Sequence, residues 1–269
     1  MIKQRTLIIV SLLYLLLPSM SVFAGPETEV PVLMYHHFSF DQQDSLTVHP
    51  DDFKDQLLAL KEAGYTTISD QDLIDYRHGK KDALPEKPIL LTMDDGYLSN
   101  YELAFPILDE LEMKATLFII VERRDHGNEK HFSWEQAREM LASGLITCQT
   151  HTYDHHDYIE PENGGEPAPM LVTVKEGESR EQYKARIEED LALSITRIEE
   201  ELGEEVLSFA APYGVLNKQA KEVARTLGVE LFYTVKPKIN TEKNLKKGVL
   251  HRINVPGGMN GEELVKMLQ

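Results

Sequence analysis

Residues 89–96 read Ile-Leu-Leu-Thr-Met-Asp-Asp-Gly, an apolar run that ends in two adjacent carboxylates and a glycine. The run is typical of a buried strand, and Gly96 allows the chain to turn beside the carboxylates. Neighbouring side chains on a strand point to opposite faces, so Asp94 and Asp95 can converge only where the strand ends. By itself this stretch would also suit an ordinary turn or helix cap.

A second polar stretch, residues 151–156, reads His-Thr-Tyr-Asp-His-His and also follows an apolar run. His151 and His155 stand four residues apart, and the adjacent His156 is an alternative to His155. One carboxylate and two imidazoles suffice to hold a Zn²⁺-type ion with an open coordination position, and the remaining carboxylate can act as a base. Because the carboxyl ends of barrel strands gather at one face, the two stretches together predict a metal-dependent hydrolase.

Short apolar runs alternate with helical patterns along the chain. The longest helix is predicted at residues 182–202, and the clearest buried strand at residues 115–121. Repeated strand–helix units of this kind predict a mostly parallel sheet with covering helices. Residues 161–179 interrupt this alternation of strands and helices with several Gly and Pro residues. We expect a surface excursion there, with an extended piece at residues 171–174 that could form a hairpin beside the site.

The composition limits the classes of partner. The chain carries 45 Asp and Glu against 28 Lys and Arg, for a net charge of −17. So acidic a surface argues against nucleic acid, anionic lipid and polyanionic wall polymers as partners. It suits a neutral polymer or one that becomes cationic during the reaction.

The single cysteine, Cys148, cannot form an internal disulfide, so stability must come from the core and the metal.

The first residues predict an export signal at 1–24. Lys3 and Arg5 precede an almost wholly apolar run at residues 7–17, and Ala24 closes a small-residue cleavage site. That run is shorter than the roughly 20 residues that span a bilayer. We expect a catalytic domain at residues 25–269, secreted or associated with the cell surface or wall, without a stable membrane partner. An uncleaved anchor is the alternative. No Cys follows the run, which disfavours a lipid anchor.

These motifs resemble those of the polysaccharide deacetylases, the family with the NodB-homology domain, over nearly the whole mature chain. Residues 92–96 resemble its first motif and residues 151–155 its second. Residues 210–214, Ala-Ala-Pro-Tyr-Gly, resemble the third, Arg-x-Pro-Tyr-Gly. The resemblance implies a distorted, incomplete (β/α) barrel with a metal site at the carboxyl ends of its strands. It also implies one divalent ion, Zn²⁺ first with Co²⁺ or Ni²⁺ as options.

The same resemblance implies an activity and residue roles. Metal-bound water would attack the acetamido groups of N-acetylglucosamine-containing polymers: an exported glucosamine polymer, peptidoglycan or chitin oligomers. Asp94 would be the base, and the backbone N–H of Tyr213 would stabilise the oxyanion. The implied metal ligands are Asp95, His151 and His155. An O-acetyl polysaccharide esterase, or a catalytically weak carbohydrate-binding relative, remains an alternative.

Ala210 departs from the family pattern, because many relatives carry there an Arg that pairs with the base. The branch that deacetylates exported poly-N-acetylglucosamine typically reads Phe-Ala-x-Pro-Tyr-Gly, as residues 209–214 do. Residues 31–36 and 252–255 also match that branch, so we place the chain nearest to it. By this resemblance His36 is the proton donor for the leaving amine. His251, near the last predicted strand, is the competing candidate.

Overall fold

The computed structural model describes residues 28–162 and 164–269. The predicted export signal at residues 1–24 lies outside these ranges. Within them, none of the helices combines the length and the apolar character that a membrane crossing requires.

Strands and helices alternate along most of the described chain. The strands are β1 (Glu29–Val30), β2 (Val32–Tyr35), β3 (His37–Phe38), β4 (Thr47–Val48), β5 (Thr66–Thr67), β6 (Pro88–Asp95), β7 (Ala115–Ile119), β8 (Ile146–Thr150), β9 (Tyr158–Ile159), β10 (Ala168–Pro169), β11 (Ser208–Ala210), β12 (Leu231–Thr234), β13 (Asn240–Thr241), β14 (Val249–His251) and β15 (Ile253–Asn254). The α-helices are α1 (Pro50–Glu62), α2 (Asp70–Arg77), α3 (Phe105–Glu110), α4 (Glu122–Asp125), α5 (Trp134–Ala142), α6 (Arg180–Leu202), α7 (Lys218–Thr226), α8 (Glu242–Lys247) and α9 (Gly261–Met267). Shorter helical turns cover Asn100–Ala104, Met170–Val172 and Pro212–Gly214.

The central sheet is parallel throughout and curls into a nearly closed barrel. Its strand order is β14-β12-β11-β8-β7-β6-β2-β15, with β5 paired to the start of β6. The two edge strands, β14 and β15, are consecutive in the chain and separated by a single residue, Arg252. The first and last strands of the order therefore lie next to each other in sequence. The predicted distorted, incomplete (β/α) barrel is confirmed.

The side chains of β6 alternate between two apolar environments. Leu91 and Met93 belong to the large core between the sheet and its helices, whereas Leu90 packs with Phe118 and Tyr233 in a second cluster. Because the side chains of a strand alternate, Asp94 lies on the same face as Leu90. This face of β6 is therefore apolar at Leu90 and charged at its carboxyl end, where Asp94 lies.

The surface excursion exists, but its hairpin differs from the prediction. The paired strands are β9 and β10, and Met170–Val172 forms a 3₁₀ turn in the stretch expected to be extended. Helix α6 explains this local structure. Arg186 donates to the carbonyls of Met170 and Thr173, and the Tyr183 hydroxyl donates to the carbonyl of Leu171. Side chains of α6, rather than a partner strand, satisfy these carbonyls.

Candidate active site

The chain turns sharply at the end of β6. Asp95 and Gly96 both adopt left-handed backbone conformations, with φ of 68° and 72°. The buried guanidinium of Arg124 donates to the carbonyls of both residues and to that of Ile120. A Cβ atom at position 96 would collide with this guanidinium, so the site requires glycine for space as well as for its φ. Nothing in the local sequence marks Arg124 as part of the site.

Asp95, His151 and His156 form the cluster most suited to a metal ion among the described residues. The Asp95 Oδ1 atom lies 3.4 Å from His151 Nε2 and 3.2 Å from His156 Nε2, and the three candidate ligand atoms lie within 4.8 Å of one another. His151 Nδ1 lies 2.7 Å from the carbonyl of Ala210. Donation to that carbonyl leaves Nε2 as the ligand atom, the usual arrangement for a metal-binding histidine.

The electrostatics of this cluster also fit a cation. Asp95 Oδ1 is buried and has no hydrogen-bond partner within the described residues. Burial alone would raise the pKa of Asp95, but the facing imidazoles of His151 and His156 hold it well below its usual value. An ionised, buried carboxylate oxygen between two imidazoles is a suitable ligand set for a divalent ion.

The structure places His155, the predicted third ligand, outside this cluster. Its buried side chain faces α6, with Nδ1 3.7 Å from Asp190 Oδ1. The Asp190 carboxylate accepts the backbone N–H groups of Tyr153 and Asp154, which ties this loop to the helix. Thr152 has a φ of 79°, so the loop is not one helical turn, and the four-residue spacing does not bring His155 beside His151. His156 takes the place predicted for His155.

Asp94 forms a buried ion pair with Arg252. The two guanidinium nitrogens each lie 2.6 Å from one carboxylate oxygen, and Nη1 also lies 3.3 Å from Thr92 Oγ1. Burial alone would raise the pKa of Asp94, but Arg252, through its charge and its hydrogen bonds, and the imidazoles of His151 and His36 together hold the pKa below its usual value. Arg252 therefore provides, next to Asp94, the positive charge that the alanine at position 210 lacks.

The rings of Phe118 and Tyr233 flank the Arg252 guanidinium, with centroids 5.6 and 6.0 Å from Cζ. Arg252 belongs to the motif at residues 252–255, but the motif itself indicates no role for it. The available signal was a charged residue in a stretch that also contains Val249, Leu250, Ile253 and Val255.

His36, and not His251, lies near Asp94 and Asp95. Burial lowers the pKa of His36, and the charges of Asp94 and Asp95 oppose that shift. His36 also lines a cavity of about 410 Å³ together with Tyr97 and the segment 44–47. His251 instead has Nδ1 3.0 Å from Thr234 Oγ1, and the nearby charges that lower its pKa, after burial, are those of Lys236 and Lys238.

Tyr213 lies beside the Asp95–His151–His156 cluster in a constrained turn. Its φ is 57°, and its hydroxyl donates to the carbonyl of His156 at 2.9 Å. A non-glycine residue in this backbone region costs about 1–3 kcal/mol and persists only where its surroundings hold it. The turn that carries Tyr213, the predicted oxyanion donor, is thus held by a hydrogen bond to the loop that carries His156.

Comparisons with known proteins identify the family of this chain. The model of the family described as "Polysaccharide deacetylase" matches residues 81–232. The Bacillus subtilis protein YxkH is 29% identical over 234 residues, which cover 87% of this chain and 74% of its relative. The poly-beta-1,6-N-acetyl-D-glucosamine N-deacetylase of Escherichia coli K12 is 28% identical over 78% of this chain, but the match spans only 34% of that longer protein.

The fold is similar to that of the de-N-acetylase from Aggregatibacter actinomycetemcomitans, with a TM-score of 0.82 and 25% identity over 89% of this chain and 100% of that one. The family match spans more than half of the chain and contains Asp94, the metal cluster and Tyr213. The chain therefore belongs to the polysaccharide deacetylase family and is a hydrolase that acts on amide bonds.

Proposed function

We propose that this protein is an exported, metal-dependent deacetylase that removes acetyl groups from N-acetylglucosamine units of a polysaccharide. The observation that carries the proposal is the position of the Asp95–His151–His156 cluster directly beside the Asp94–Arg252 ion pair. The two adjacent aspartates thus face different partners. Asp94 faces an arginine, and Asp95 faces two imidazoles. This division suits one carboxylate for proton transfer and one for a metal.

Asp95, His151 and His156 would hold the ion, with Zn²⁺ as the best match for two imidazoles and one carboxylate. A divalent ion bound there acidifies a water molecule and polarises the acetyl carbonyl. The carboxylate of Asp94, oriented by Arg252, accepts a proton from the attacking water. The backbone N–H of Tyr213 stabilises the oxyanion, and His36 protonates the leaving amine.

An N-acetylglucosamine polymer is the substrate that the observations favour. The E. coli relative acts, by its name, on poly-beta-1,6-N-acetyl-D-glucosamine. The net charge of −17 is compatible with a neutral substrate whose product carries amines, and it disfavours strongly anionic wall polymers. Export would follow from residues 1–24.

The proposal is tested by assaying the purified residues 25–269, first freed of metal and then loaded with Zn²⁺, Co²⁺ or Ni²⁺. The substrates are β-1,6-linked and β-1,4-linked N-acetylglucosamine oligomers, peptidoglycan and acetylated xylan, and the readouts are free acetate and free amine. We expect metal-dependent release of both from the β-1,6 oligomers. Acetate from xylan alone would identify an O-acetyl esterase. No release from any substrate would favour a carbohydrate-binding role.

Replacing His36 with alanine should impair cleavage of amides far more than cleavage of an activated acetyl ester. An amine leaves only after its nitrogen is protonated, whereas an activated ester releases a stable anion without that proton. We expect amide hydrolysis to fall by about 10² or more and ester hydrolysis by less than about tenfold, with bound metal unchanged. His251→Ala is the matched control and should have little effect. An amide-selective loss in His251→Ala, with His36→Ala active, would reverse the assignment.

A further inference from the structure

Three aromatic rings lead in a row from the metal cluster to the protein surface. The ring of His156 lies 4.8 Å from that of Tyr213, which in turn lies 4.5 Å from that of Tyr158 (centroid distances). Exposure rises along the row: His156 is half-buried, Tyr213 is 37% exposed and Tyr158 is 51% exposed. The outer two rings therefore form an aromatic surface that begins at the candidate metal site and is open to solvent.

Tyr158 has no evident structural role. It belongs to neither of the two hydrophobic clusters formed by the described residues. Within the same part of the chain its hydroxyl makes no side-chain hydrogen bond, in contrast to those of Tyr183 and Tyr213. Its recorded ring contact is with Tyr213. A large aromatic side chain left half in water beside a candidate active site is more characteristic of a binding surface than of a core.

The aromatic surface is also fixed in place before any ligand arrives. The Tyr213 ring is held by its hydroxyl bond to the His156 carbonyl and by its left-handed backbone. The next residue, Gly214, lies so close to Val235 that a Cβ atom there would collide with it. Tyr158 lies on β9, which pairs with β10. The 3₁₀ turn that follows β10 is held by a hydrogen bond from Arg186, and this turn anchors the hairpin that carries Tyr158. Rigid presentation lowers the entropy lost on binding.

We propose that Tyr158, packed against Tyr213, is a platform for the sugar unit next to the one being deacetylated. Pyranose rings present C–H faces that pack well against aromatic rings, and a polymer offers such a ring on each side of the reacting unit. The platform would make the enzyme select for oligomers over single sugars. This inference rests on the proposed function and adds a specificity-determining residue to it.

The test compares Tyr158→Ala, Tyr158→Phe and wild type on three substrates: a β-1,6-linked N-acetylglucosamine pentamer, N-acetylglucosamine itself and an activated acetyl ester. For Tyr158→Ala we expect kcat/KM on the pentamer to fall about tenfold, mainly through KM, with the two small substrates changed less than about twofold. Tyr158→Phe keeps the ring face and should retain wild-type selectivity. Tyr101→Ala is the matched control, because Tyr101 is also a partly exposed tyrosine packed against one aromatic ring, that of Phe105.

Equal losses on pentamer and small substrates, or no loss on the pentamer, would overturn the platform. Binding of the pentamer is measured in parallel by calorimetry in an Asp94→Asn background, which should not turn the substrate over. There, Tyr158→Ala should weaken binding about tenfold. If the wild type releases no acetate from any glucosamine oligomer, the proposed function fails. A Tyr158-dependent affinity for the pentamer would then still support the platform, and its absence would reject both.

Discussion

Replacing His156 with alanine is expected to lower the affinity for Zn²⁺ by about 100-fold or more and to abolish amide hydrolysis. His156 Nε2 lies 3.2 Å from the buried Oδ1 of Asp95, so its imidazole faces the place where an ion would sit. Loss of a residue that only orients a ligand typically costs about 10–100-fold in affinity, and loss of a ligand should cost at least as much. His155→Ala is expected to stay within about tenfold of wild type, because His155 faces Asp190 on α6.

The adjacent histidines make a matched pair for this measurement. Zn²⁺ affinity is determined for both variants by competition with a chelator of known affinity, starting from metal-free protein. Thermal unfolding is recorded beside it, since His155 is buried and its loss could loosen the loop that Asp190 holds. A large loss of affinity in His155→Ala, with His156→Ala near wild type, would restore His155 as the third ligand.

The barrel was predictable because it follows from local patterns. Strand and helix periodicities at residues 89–92, 115–121 and 182–202 predicted elements within a few residues of those found. The paired carboxylates were also predictable as neighbours at a strand end, since only a turn lets adjacent side chains converge. Gly96 marked that turn correctly.

The contacts that complete the site were not predictable, because they depend on backbone conformation or on long-range closure. The spacing of His151 and His155 suited one helical turn or a looped strand end, and nothing local showed that Thr152 would adopt a left-handed conformation. Arg252 reaches Asp94 across 158 residues, and the two lie close together because β15 pairs with β2, which pairs with β6. The sequence alone therefore identified most residues of the candidate site, but not the residues that contact them.

Removal of the Arg252 charge should destabilise the protein and inactivate it together. Arg252→Met leaves the carboxylate of Asp94 buried without its counter-ion, and breaking a buried pair from one side costs about 3–5 kcal/mol in the free energy of unfolding. The pKa of Asp94 should then rise, because the strongest of the charges that oppose the effect of burial is gone. A protonated Asp94 cannot accept a proton, so activity should fall by about 10² or more, and the acid limb of the pH–rate profile should move to higher pH.

Three further variants separate the structural from the catalytic contribution of this pair. Asp94→Asn should retain Zn²⁺ binding, since Asp94 lies outside the metal cluster, yet lose about 10² or more in activity. Arg252→Lys keeps a charge without the two-pronged geometry, and should recover more stability than activity.

The double variant Asp94→Asn/Arg252→Met removes both charges, so its unfolding free energy, measured by denaturant titration, should exceed that of Arg252→Met although it stays inactive. Full activity in Arg252→Met would show that the base needs no orienting cation. An active Asp94→Asn would show that Asp94 is not the base.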